Sequence, residues 1–112
     1  MMTTVRVVRL DASALVWANG TLDFAAAPEL RRAIDEVLAS RPSSVVLDLA
    51  MVEAIDEEAI EVLAAAAVRM ARRSAMLALR LPAGYGQIVP DAATLRALLF
   101  SAYPLTDQVD GE

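Results

Sequence analysis

Histidine, cysteine and lysine are all absent from this chain of 112 residues. Without cysteine there is no disulfide and no thiol chemistry, and without histidine or cysteine the common zinc ligand sets are gone. Ser-His triads and lysine Schiff bases are excluded on the same grounds. A metal site made only of carboxylates stays open, although no spacing of the EF-hand type occurs. No cofactor is expected. The longest apolar run, Val62 to Val68, is far too short to span a bilayer. No charged segment followed by an apolar one opens the chain, so no signal peptide is read. The expected location is the cytoplasm, without direct membrane insertion.

Basic charge is scarce and comes from arginine alone. The net charge is −5, which is the opposite of the balance a nucleic-acid binder shows. Hydrophobic residues make up 57%, too many for a disordered chain, and the length suits one domain with one core. That domain is read as residues 1–112, with its core over about 5–103 and a tail, 104–112, expected to fray.

"TVRVVRLD" (Thr4–Asp11) and "ALVWAN" (Ala14–Asn19) are β-type runs joined by a short polar link, which predicts an antiparallel hairpin ended by Gly20. Arg6 and Arg9 suit an outer strand, and Trp17 is expected in the core. Residues 25–41 are the clearest helix. Leu30, Ala33, Ile34, Val37 and Leu38 form one apolar stripe, Pro28 fits the first turn and Pro42 follows as a stop. Arg31/Asp35 and Arg32/Glu36 are spaced to pair along its wet face. "SVVLDLA" (Ser44–Ala50) predicts a central strand, residues 57–73 an alanine-rich helix, and "AMLALRL" (Ala75–Leu81) another strand. Pro82–Asp91 is read as a loop and Ala92–Tyr103 as a third helix. Gly84-Tyr85-Gly86 lacks a P-loop pattern and is read as a turn.

The order is therefore ββαβαβα. It predicts an α/β fold: a mixed central sheet with an N-terminal antiparallel hairpin followed by two right-handed βαβ crossovers. Both early helices begin beyond the carboxyl ends of strands, where such sheets usually meet ligands and partners. Asp23, in "NGTLDF", and Asp56–Glu58, in "AIDEEAIEVL", should share that edge.

"GTLDFAAAPELRRAI" (Gly20–Ile34), "SVVLDLAMVEAIDEEAIEVL" (Ser44–Leu63) and "MLALRLP" (Met76–Pro82), in this order, resemble the STAS domain, the fold of bacterial anti-sigma factor antagonists. The resemblance covers about Ala14 to Leu99 and implies helices mainly on one face of the sheet. It also implies a non-enzymatic switch in transcription regulation. Such a protein binds an anti-sigma factor of serine-kinase fold and is released when that kinase phosphorylates a serine in an Asp-Ser-Ser-Gly motif. Here the motif reads Asp56-Glu57-Glu58-Ala59. Glu58 stands at the phosphoacceptor position, Glu57 at its serine neighbour and Ala59 at the glycine. A phosphoserine carries about −1.5 to −2 charge and a glutamate about −1, permanently. The site would thus be non-phosphorylatable: either the protein is locked in a phosphorylated-like state or it never entered the kinase cycle.

The resemblance makes Asp23, Asp56, Glu57, Glu58 and Ala59 the candidate partner-binding and switch residues, with Leu22, Phe24 and Asp48 as secondary candidates. Asp48 is read as a cap for the loop after its strand or as a neighbour of Glu58. Ordinary helix electrostatics offers a second explanation for residues 56–58: an N-cap aspartate, with glutamates favoured near free N–H groups. Arg69, Arg72 and Arg73 would complete that pattern at the other end. A soluble STAS subunit of a lipid-transporting ABC system is the alternative function. An enzyme is not expected, because no catalytic motif is present.

Overall fold

The computed structural model describes residues 3–82, 84 and 86–103. The expected tail therefore lies outside the described residues, as do Ala83 and Tyr85 of the 82–91 loop.

Strands β1 (Thr4–Leu10) and β2 (Ser13–Leu22) form the hairpin, closed by Asp11 and Ala12. Asp11 takes a left-handed φ of 54°, which aspartate tolerates better than most residues. A short 3-10 turn, Phe24–Ala26, leads into helix α1 (Ala27–Ala39). Strand β3 (Ser44–Ile55), helix α2 (Glu57–Arg72) and strand β4 (Met76–Arg80) follow. The two-residue strand β5 (Gln87–Ile88) and helix α3 (Ala92–Ala102) complete the described chain. Among the described residues the sheet order is β1-β2-β3-β4-β5, with β2, β3 and β4 parallel and both outer pairings antiparallel.

Strand geometry sends alternate side chains to opposite faces. On one face Val16, Leu47 and Leu79 stand in register, and all three are buried. This face carries the core. The stripe expected on α1 is buried throughout. Helix α2 buries Ala59, Ile60, Val62, Leu63, Ala64, Ala66, Ala67 and Met70. Its alanines bring the helix backbone close to the sheet, and helix α3 adds Leu95 and Leu99. At about 25 cal/mol per Å² of apolar surface, each buried Leu or Ile favours folding by roughly 1.5–3 kcal/mol.

Four expectations need correction. Strand β2 does not end at Gly20, and β3 does not end at Ala50. The two run together to Leu22 and Ile55 through two register shifts, at each of which β3 carries an extra residue. Gly20, with φ 96°, lies at the second shift, where a side chain would be strained. What looked like a loop at residues 50–55 is strand, hidden because Met51, Glu53 and Ala54 are exposed and break the alternation. Strand β5 lies inside the expected loop and is too short to show a period. Trp17 is not in the core. It pairs with Arg6 and Asp48 on the opposite face and is half-buried. Finally, Asp35 and Glu36 do not pair along α1. Asp35 meets Arg69 of α2 at 2.6 Å and Glu36 meets Arg9 of β1 at 3.1 Å, so both ion pairs tie elements together.

Candidate functional site

The site is built where β2 and β3 end side by side. Leu22 and Ile55 are paired, and the Asp56 N–H donates to the Leu22 carbonyl at 3.0 Å. The next residues, Asp23 and Asp56, turn the chain in the same way. Asp23 Oδ1 accepts from the Ala26 N–H at 3.1 Å, and Asp56 Oδ1 accepts from the Ala59 N–H at 3.1 Å. Each is an N-cap in extended backbone, so one free donor of each first turn is satisfied. This electrostatic role is therefore real for Asp23 and Asp56, and the positive end of α2 also favours the carboxylates of Glu57 and Glu58.

Exposure separates the candidates. Asp23, Phe24, Glu57 and Glu58 face solvent on this edge, and Phe24 is 72% exposed. Leu22, on the other side of Asp23, is fully buried under the helices and cannot meet a partner. Ala59 is also fully buried, its methyl group packed into the core at the position where the resemblance places a glycine. Asp48 is mid-strand and faces away from the helices. Its Oδ1 accepts from the Ala50 N–H at 3.1 Å, and its Oδ2 lies 3.5 Å from Arg80. It neither ends its strand nor joins the Asp23 edge, because β3 continues for seven residues beyond it.

From Glu58 a groove of about 370 Å³ runs between α1 and α2. Ile34, Val62, Ala65 and Ala66 give it an apolar floor, and Arg31 and Glu58 are among its walls. The remaining charges are already engaged. Arg69 holds Asp35, and Arg96 of α3 grips Glu61 with two hydrogen bonds, at 3.1 and 2.8 Å. Those bonds, with the guanidinium charge, lower the Glu61 pKa below the ordinary carboxylate range. Sequence reasoning missed this groove, since both ion pairs join residues 34 or 35 positions apart. Arg73 donates to the Leu38 carbonyl at the far end of α1, so Arg69 and Arg73 both tie α2 to α1.

The edge offers carboxylates, an exposed aromatic ring and an apolar groove, features suited to recognition of another surface. Among the described residues no group of three or more acidic side chains could hold a metal ion. No described helix is long and apolar enough to cross a membrane.

Comparison with known proteins agrees with this architecture. An anti-sigma factor antagonist from Mycobacterium paratuberculosis superposes with a TM-score of 0.68 at 24% identity, covering 98% of this chain and 93% of that one. The antagonist SpoIIAA in its unphosphorylated form gives 0.58 at 11% identity, over 97% of this chain and all of that one. Part of Mglu in its native form gives 0.58 at 20% identity, covering 68% of this chain and 23% of Mglu. No curated protein matches. The STAS domain model matches residues 4–98, and the chain belongs to the STAS domain family.

Proposed function

We propose that this chain is a non-enzymatic protein-binding module of the antagonist type, whose partner is an anti-sigma factor of serine-kinase fold. The observation that carries the reading is the shared edge: Asp23, Phe24 and Glu58 are all exposed there, on turns that leave two paired strands. Phe24 supplies the aromatic anchor such contacts favour, and the surrounding carboxylates select a basic surface. Glu58 fills the switch position with a charge that no phosphatase removes. The α2 terminus that stabilises a phosphate also stabilises this carboxylate.

The test is calorimetric titration of kinase-fold anti-sigma factors from the source organism with wild type, Phe24→Ala and Glu58→Ser. The reading expects Phe24→Ala to weaken binding about tenfold or more. It expects Glu58→Ser to bind more tightly and to accept phosphate. Equal affinities for all three proteins would contradict it.

A further inference from the structure

We propose that the helix-free face of the sheet is a self-association surface, occupied by the same face of a second copy of this chain. Three rows of side chains cross that face. Val8, Leu15, Val46, Ala78 and Ile88 stand in register across all five strands. On one side of this row lie Arg6, Trp17, Asp48 and Arg80, and on the other Leu10, Ser13, Ser44 and Met76. No described helix covers them. Leu10, Met76 and Ile88 are more than half exposed, and Val8 is 41% exposed. Leu15, Trp17, Val46 and Ala78 are half-buried. Eight apolar side chains share this open face, a patch of the kind that marks interaction surfaces.

The row pattern points to a second copy because it complements itself. A twofold axis parallel to β3 through Val46 sets Val46 on Val46 and large Leu15 against small Ala78. The same axis sets Val8 against Ile88 and brings Trp17 opposite Arg80, a cation over an indole ring. The two Asp48 carboxylates also approach across this axis, a like-charge contact that the Ala50 N–H and Arg80 held by each offset only in part and that keeps the association weak. Most soluble oligomers are twofold dimers of this isologous kind. Strands β1 to β4, spaced about 4.8 Å apart over roughly 20 Å, with the two-residue β5 at the edge, present about 400 Å² per copy. Two copies then bury about 800 Å², small for a specific interface, so the dimer is weak and depends on concentration. The Asp23–Glu58 edge lies beyond the end of the strands and stays open in it.

The absence of cysteine allows a clean test. Val46→Cys is treated with a bismaleimide whose arm of about 8 Å suits sheets packed about 10 Å apart. Val68→Cys, on exposed α2, is the control. Sedimentation equilibrium follows wild type and Ile88→Asp from micromolar to millimolar concentration. Ile88 is 61% exposed, so this change leaves the fold intact. The proposal expects cross-linked dimers for Val46→Cys alone, and self-association weakened about tenfold or more in Ile88→Asp. A wild type that stays monomeric throughout would overturn it. So would equal cross-linking of both cysteine variants, or self-association unchanged in Ile88→Asp. A monomeric wild type that still binds its partner through Phe24 would leave the function proposed above intact.

Discussion

Asp23 and Asp56 occupy equivalent positions on adjacent strands. Each follows one member of the Leu22–Ile55 pair, and each accepts a hydrogen bond from the backbone N–H three residues on, at 3.1 Å. Replacing an N-cap aspartate by alanine costs about 1 kcal/mol. Urea denaturation should show that loss for Asp56→Ala, which uncaps the 16 residues of α2, and a smaller loss for Asp23→Ala, which uncaps only a 3-10 turn. The Asn variants should stay near wild type, since the amide oxygen still accepts the bond.

Leu22 and Phe24 flank Asp23 and should behave oppositely. Leu22 is fully buried, so Leu22→Ala should lower stability by about 2–5 kcal/mol. Phe24→Ala should change stability by less than about 0.5 kcal/mol, its effect being confined to partner binding. Denaturation midpoints of the two variants separate the structural from the functional residue.

Tyr103, at the end of α3, is 5% exposed, and its hydroxyl donates to the Leu49 carbonyl at 2.9 Å. Burial disfavours the phenolate and pushes its pKa up to about 12. A raised folded-state pKa stabilises fully below the unfolded value, near 10, and that contribution disappears as pH rises through the folded one. Stability should therefore fall between about pH 10 and 12. No lysine titrates alongside, and arginine stays charged, which makes the transition simple to assign. Tyr103→Phe should lower stability by about 1 kcal/mol at neutral pH, because the Leu49 carbonyl loses its donor. It should also remove the highest phenol step from an ultraviolet titration.

The Glu61–Arg96 contact joins α2 to α3. Hydrogen bonding from Arg96 lowers the Glu61 pKa, so its stabilising effect is present above the ordinary carboxylate range and is lost as pH falls through the folded value. Arg96→Ala should raise the Glu61 titration midpoint, read from its side-chain carboxyl resonance. Both groups are exposed, so the effect on overall stability should be small and should shrink further with salt.

The parts of the fold that were legible in the sequence have a strong period or a strong local signal. The α1 stripe repeats every three to four residues and is buried as expected. Asp56 reads as a cap because a helix-forming run follows it directly. The extension of β2 and β3 was not legible, since pairing between strands thirty residues apart carried it past Gly20 and Ala50. Trp17 illustrates a related limit: alternation sorts Leu15 and Trp17 from Val16 and Ala18, but only the placement of helices decides which set is the core. Asp48 was misplaced because its strand was read as ending too soon. The edge shared by Asp23 and Glu58 followed from topology, whereas the groove beside it depended on pairs such as Arg69–Asp35 that join distant residues.

The central claim is that Glu58 holds a permanent negative charge on a gripping edge where an exchangeable one would otherwise stand. Its most direct test is incubation of wild type and Glu58→Ser with kinase-fold anti-sigma factors and ATP, followed by mapping of any phosphate by mass spectrometry. Phosphate on residue 58 of the Glu58→Ser protein, with none on wild type, is the predicted result. Stable phosphate on another serine or threonine of wild type, with loss of partner binding, would contradict it.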